Sequence, residues 1–108
     1  MTSRTTSTTS RPASLLLQSI SSGGELFPLA RTLPVRVVIE RDGFLCYDEE
    51  VGAEGAGDGL DEAFAEYQDS FASLCRRLLH PAAPLSAEEQ LRADRLRALL
   101  ATPKMPAR

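Results

Sequence analysis

The stretch VRVVIERDGFLCYDEEVGAEGAGDGLDEAFAEYQDSF, residues 35–71, decides the fold. β-Branched residues largely alternate with polar ones over residues 35–40, which is the pattern of a half-buried strand. Asp42-Gly43 follows, and such a pair between two strand-like runs predicts a hairpin, because glycine supplies the positive φ of a tight turn. Residues 44–47 then form the second strand of this hairpin.

The glycine-rich segment after the hairpin leaves two structures open. Residues 51–59 carry four glycines and two acids. Glycine weakens a strand, so the segment is either a bulged third strand or a loop. Residues 60–79 show the i, i+3, i+4 spacing of an amphipathic helix through about five turns. His80, before Pro81, is assigned to the helix end rather than to catalysis, because no Ser, Cys or Asp cluster marks a partner for it.

The rest of the chain divides where its composition changes. Residues 1–24 are rich in Ser and Thr, which predicts a disordered tail, and residues 26–34 are an extended lead-in. A capping box, Ser86-Ala87-Glu88-Glu89, begins a second helix. The predicted organisation is a tail at 1–24, a folded domain at 25–80, a linker at 81–85, a C-terminal helix at 86–101 and a tail at 102–108. The fold class is α+β: a small three-stranded antiparallel meander covered by one amphipathic helix (β-β-β-α), followed by the short C-terminal helix.

Charge is concentrated in the middle of the chain. Residues 1–32 hold three Arg and one acid (+2), residues 33–71 hold two Arg and eleven acids (−9), and residues 72–108 hold seven bases and three acids (+4). The net charge of −3 therefore hides a strongly anionic centre. A field of that sign favours a basic partner and disfavours phosphate backbones.

Size and composition predict a small protein that associates with itself. The 108 residues suffice for one domain with a marginal core, so we expect a homo-oligomer. No apolar run approaches the length of about 18 residues that a membrane span needs. The expected location is the cytoplasm. The Ser-rich, Arg-bearing, acid-free N-terminus also fits an organellar transit peptide, which stays open as an alternative.

The pattern of potential ligands excludes the common metal and phosphate sites. Cys46 and Cys75 lie far apart, without a CxxC pair and with one His in the chain, which is not a zinc pattern. We expect two buried, reduced thiols, with a strand-to-helix disulfide as the alternative. The glycine-rich segment lacks the GK[ST] of a phosphate loop and the spacing of an EF-hand. No cofactor is expected, and a Mg²⁺-dependent enzyme using Glu40, Asp48 and Glu50 is the poorest hypothesis.

The order of these motifs resembles the HicB-like antitoxin superfamily over residues 34–79. The resemblance is carried by the first strand, by Asp42-Gly43-Phe44, by the glycine-rich acidic segment, and by the helix start GDGLDEA at residues 57–63. It implies a three-stranded meander with a helix on one face. It also implies a binding protein and not an enzyme, because HicB-like proteins pair with a small basic ribonuclease toxin of the HicA type and cover its active surface.

The acidic centre fits a basic partner independently, because opposite charge raises association rates. The candidate partner-binding residues are Phe44, Tyr47, Asp48, Glu49, Glu50, Glu54 and Asp58. The competing interpretation of the acids is a solvated face that keeps a small protein soluble. An orphan relative without a toxin is a further form of the antitoxin hypothesis.

A second hypothesis comes from another class of protein: a structural or assembly subunit of a larger complex, docking through its helices with the N-terminal tail as a tether. Nucleic acid is not expected to bind the core. Arg92, Arg95 and Arg97 on the C-terminal helix could contact nucleic acid, although a solvated basic face is the commoner explanation.

Overall fold

The computed structural model describes residues 13–101, which form one antiparallel sheet and two helices. The strands are β1 (Ala13–Ser22), β2 (Glu25–Glu40), β3 (Gly43–Tyr47) and β4 (Glu54–Gly57), and the helices are α1 (Leu60–Leu79) and α2 (Ala87–Leu99). The sheet order is β1-β2-β3-β4, so each strand pairs with the next one along the chain. The α+β class is confirmed, with four strands in place of the predicted three.

The additional strand lies in the segment predicted as disordered tail and extended lead-in. β1 and β2 form a long hairpin closed at Gly23 and Gly24, whose φ angles of 57° and 84° are those that glycine adopts readily. The prediction of disorder is therefore wrong for residues 13–24. This Ser-rich segment also contains three apolar residues, Leu15, Leu17 and Ile20, which pack with β2 on one face of the sheet. Residues 1–12 and 102–108 of the two predicted tails lie outside the described residues.

The predicted hairpin of residues 35–47 is confirmed as β2–β3, with Glu40 opposite Gly43. Gly43 has a φ of 150°, and a side chain there would collide with the backbone of Gly57 on β4.

The glycine-rich segment contains a short strand after a loop, so both structures left open for it occur in turn. A side chain on Gly55 would collide with the backbone of α1, so this glycine lets helix and strand touch.

Helix α1 has the predicted bounds and covers one face of the sheet. Its backbone ends at His80, whose N–H donates to the Arg76 carbonyl at 3.3 Å, in keeping with the structural role assigned to this histidine. The buried apolar side chains of the core are Ile20, Leu33, Val35, Val37, Cys46, Val51, Ala53, Ala63, Tyr67, Phe71, Leu74, Cys75, Leu78, Ala93, Leu96 and Leu99. Neither helix is long and apolar enough to cross a membrane within residues 13–101.

Helix α2 begins with the predicted capping box, in which Ser86 and Glu89 exchange hydrogen bonds. It packs on α1 and β2. Just after it, Leu100 pairs with Leu29, and the Ala101 N–H donates to the Pro28 carbonyl at 2.9 Å. The end of α2 is thus tied to the first half of β2.

The two cysteines are buried and free, as predicted, and form no disulfide. Burial raises the pKa of both thiols, that of Cys75 to about 11. A raised pKa keeps a thiol protonated at neutral pH, so both cysteines act as small apolar residues of the core.

Candidate partner-binding surface

Asp48, one of the predicted partner-binding residues, is not on the surface. Its side chain is 2 % exposed, at the start of the loop that joins β3 to β4. A partner has no access to this carboxylate. The prediction for Asp48 is therefore wrong, and the hydrogen bonds around it give the physical reason.

The Asp48 carboxylate holds its own loop together. Oδ1 accepts from three consecutive backbone N–H groups, and Oδ2 accepts from a fourth and from a tyrosine hydroxyl of α1. The donors are Glu50 (2.9 Å), Val51 (2.7 Å), Gly52 (3.2 Å), Ala53 (3.2 Å) and Tyr67 (2.8 Å). Burial, reinforced by this carboxylate, raises the pKa of Tyr67, so the hydroxyl stays a donor. The backbone N–H groups of the loop thus bind the Asp48 carboxylate as an anion that belongs to the chain itself.

Two more of the predicted acids are engaged by arginines of β2. Glu50 and Arg31 form a two-pronged ion pair with N···O distances of 2.6 and 2.9 Å. The hydrogen bond from Arg31 holds the pKa of Glu50 below its ordinary value. Glu49 lies 4.0 Å from the Arg36 guanidinium. The anionic centre of the sequence is therefore partly neutralised within the fold.

Tyr47 and Glu54 lie on the face of the sheet opposite α1. They are in register with each other and with Arg36, and the next row on this face is Val38, Leu45 and Ala56. Pro34, Arg36, Glu49 and Glu50 line a hollow of about 100 Å³ there. That volume is well below the several hundred Å³ of usual ligand pockets.

Phe44 and Asp58 lie elsewhere, at the end of the sheet where α1 begins. Phe44 is opposite Ile39 on β2 and opposite Gly57 on β4. The first turn of α1 packs against Gly57. We call this surface the acidic end and define it by its exposed residues Ile39, Glu40, Asp42, Asp58, Leu60 and Asp61, together with the partly buried Phe44. Arg41 is the one base in the turn between β2 and β3.

The exposure of Ile39 was missed by the sequence analysis. Its side chain is 77 % exposed, although it continues the apolar alternation of Val35 and Val37, which are buried. The reason is the position of α1. Its first turn packs at Gly57, which lies in the same row across the sheet as Ile39, so Ile39 lies at the margin of the area that the helix covers. The sequence signal was available in Glu40 and Asp42, the acids that follow directly after the alternation.

The arginines of α2 do not form one free basic face. Arg97 pairs with Asp94 at 3.2 Å. Arg92 is half-buried, with its guanidinium packed beside Gly52. Arg95 helps to hold the pKa of Glu50 down, after the larger effect of Arg31. Each of the three arginines thus has a neighbour among the described residues that it pairs with, packs against or attracts.

The structure does not bring Glu40, Asp48 and Glu50 together. Among residues 13–101, no group of three or more His, Cys, Asp or Glu side chains is placed to hold a metal ion. Comparisons with protein-family models, with curated proteins and with solved structures find no match to this chain.

Proposed function

We propose that this chain is a non-catalytic protein-binding domain of the HicB-like antitoxin type, and that its acidic end receives a small basic partner. The order of motifs over residues 34–79 supports the family. One observation supports the site: Ile39 is 77 % exposed at the end of the sheet that also carries the exposed acids Glu40, Asp42, Asp58 and Asp61. An apolar centre inside a charged rim is the usual anatomy of a protein interface.

The two parts of the acidic end have different effects on binding. Glu40, Asp42, Asp58 and Asp61 are exposed, so they attract a basic protein and raise the association rate. Ile39 offers apolar area that becomes buried on contact, which slows dissociation. Full burial of such a side chain contributes about 1.5–3 kcal/mol.

The resemblance supplies the chemistry of the partner: a small basic ribonuclease toxin of the HicA type, whose RNA-binding surface would be masked. A basic surface that binds phosphates is complementary to the acidic end, and covering it would keep RNA away. An orphan relative would use the same surface for another basic protein.

The experiment measures binding to a HicA-type toxin encoded beside this chain. The variant Asp42→Lys/Asp58→Lys reverses two rim charges, and we expect the dissociation constant to rise about 100-fold, mainly through slower association. Ile39→Ser should raise it about ten-fold, mainly through faster dissociation. Glu88→Lys, which reverses an exposed acid on α2, is the matched control and should bind like the wild type.

The proposal fails if a pull-down from the native host recovers no small basic protein and a co-expressed neighbouring toxin of this type stays fully toxic. It also fails for this surface if Glu88→Lys weakens binding as much as the double variant. Circular dichroism of each variant separates lost binding from lost folding.

The assembly-subunit hypothesis finds less support in the geometry. Docking through α1 would need a free apolar face, but the apolar stripe of this helix packs on the sheet. Leu91 on α2, at 52 % exposed, is a single large apolar side chain and not a stripe. We therefore prefer the acidic end over the helices as the docking surface.

A further inference from the structure

The two edges of the sheet differ in their hydrogen bonds. At the β4 edge, side chains of α1 accept hydrogen bonds from the outward backbone N–H groups. The strand turns three alternate N–H groups outward, and each donates to an α1 side chain. The pairs are Glu54 to Ser70 Oγ (3.3 Å), Ala56 to Glu66 Oε1 (3.3 Å) and Asp58 to Glu62 Oε1 (3.0 Å). The acceptors are four residues apart, about 6 Å along a helix, which matches about 6.7 Å for two residues of a strand.

The orientation of the outer groups of β1 follows from the hydrogen bonds of the sheet. The Asp48 N–H donates to the Ala53 carbonyl, so the backbone groups of Tyr47, one residue earlier, face β2 and its partner there, Arg36. Pro34, two residues before Arg36, therefore also faces away from β1, and its missing N–H is not needed by β1. Leu16 is opposite Pro34. The N–H and C=O groups of Leu16, and of Ser14 two residues before it, therefore point outward.

Helix α1 closes only the far end of the β1 edge. The Ser21 N–H donates to Gln68 Oε1 at 3.0 Å, and the Ser22 hydroxyl donates to Asp69 Oδ1 at 2.7 Å. Within residues 13–101, no hydrogen bond to the outward groups of Ser14 or Leu16 is found. The first half of β1 is thus an open edge in the described part of the chain.

This open edge lacks the usual protection against pairing. β1 reads ASLLLQSISS, without a charged residue and without proline. Its bulge lies between Leu17 and Ser19, beyond the open half. Leu16 is 68 % exposed on the face opposite α1. Natural edge strands that must stay unpaired usually carry a lysine, a proline or a bulge, so this strand is suited to pairing.

We infer that the first half of β1 pairs antiparallel with the same strand of a second copy of this chain, joining two sheets into one of eight strands. A two-fold axis at Leu16 lets the two Leu16 backbones exchange hydrogen bonds, with Leu15 opposite Leu17 of the second copy. An uncharged strand places no like charges opposite each other when it meets itself. A basic partner would gain no electrostatic attraction from this edge, whereas a second copy of the chain presents the same uncharged strand.

The inference does not depend on the proposed function, because the edge and the acidic end are different surfaces. Sedimentation velocity on the full chain, from about 1 to 200 µM, should show twice the chain mass of 11.7 kDa at the upper end. Leu16→Lys places two cations opposite each other. Leu16→Pro removes an outward N–H that the hairpin with β2 does not use. Both variants should sediment as monomers over the whole range.

The matched control is Leu91→Lys, which charges an exposed leucine on α2 and should leave the dimer intact. Far-UV circular dichroism shows that each variant folds. A wild type that stays monomeric at every concentration overturns the inference, whatever else occupies the edge. A dimer that survives both substitutions at Leu16 also overturns it, because pairing then occurs elsewhere.

Discussion

The edge at β4 and the edge at β1 belong to one sheet, yet within residues 13–101 side chains close only the first of them along its full length. At β4, three acceptors of α1 take the place of a neighbouring strand. At β1, helix side chains reach Ser21 and Ser22, and no described residue beyond β2 hydrogen-bonds the first half of the strand. A small domain can therefore close a sheet edge with side chains of its own helix, and the β1 edge is where the inferred pairing of two copies is tested.

The largest loss of stability should come from a substitution that pushes α1 away from β4. Gly55→Ala places a Cβ atom against the α1 backbone at Ala63, Glu66 and Tyr67, where nothing can move aside easily. We expect the free energy of unfolding to fall by about 3 kcal/mol or more, measured by urea denaturation. Gly59→Ala, where a Cβ meets nothing within 4 Å, is the control and should cost less than about 1 kcal/mol. Equal losses for both would show that the contact at Gly55 is not special.

The next largest effect should come from the loop that places β4 beside β3. Asp48→Asn replaces one acceptor oxygen by a donor NH₂ group, so some of the five donors, three of them in buried hydrogen bonds, lose their partner. We expect a loss of about 2–3 kcal/mol by urea denaturation, and about 1 kcal/mol for Tyr67→Phe. Glu49→Gln, on an exposed acid one position along, should change stability by less than about 0.5 kcal/mol. A harmless Asp48→Asn would refute the role given to this carboxylate.

A smaller loss of stability should follow when one acceptor at the β4 edge is removed and α1 stays in place. Glu66→Ala removes the acceptor of the Ala56 N–H. We expect a loss of about 0.5–1 kcal/mol in thermal unfolding and faster hydrogen exchange at the Ala56 amide. Glu88→Ala on α2 tests whether any lost helix carboxylate has this effect on exchange. An Ala56 amide that exchanges equally fast in the wild type would contradict the side-chain closure.

The smallest effect is expected from the ion pair that links the two halves of the sheet. Arg31 lies in the half that forms the β1–β2 hairpin, and Glu50 lies in the loop before β4. Because folding lowers the pKa of Glu50, the pair stabilises the fold above the ordinary carboxylate range and loses this contribution as the pH falls. The urea midpoints of the wild type and Glu50→Gln should differ slightly at pH of about 7 and converge below about 4. A difference that grows in acid would reverse the assigned sign.

The hairpin of residues 35–47 and helix α1 were predictable because their signals are local. Alternation, an Asp-Gly pair and i, i+3, i+4 spacing each act within a few residues. β1 was missed because its serines resemble a disordered tail in composition. Its leucines become a strand only when β2 provides the other half of the hairpin, which is information from residues 25–40.

The candidate site was less predictable, since it depends on packing between distant elements. Asp48 stands in the acidic run Asp48-Glu49-Glu50, and sequence alone does not show that one of three carboxylates turns inward to meet Tyr67. The exposure of Ile39 depends on where α1 begins relative to β2. The structure places Phe44 and Asp58 at the acidic end, and their role in binding stays a prediction.

The pairing of Leu29 with Leu100 also has a kinetic consequence. The β1–β2 turn and the loop at Asp48 close over a few residues, whereas this bridge joins positions 29 and 100. Contacts of such long sequence separation form slowly, because a long chain segment must be ordered before they contribute. We therefore expect the hairpin to form before this bridge, so that one side of Pro28 stays unpaired until the chain after α2 reaches it.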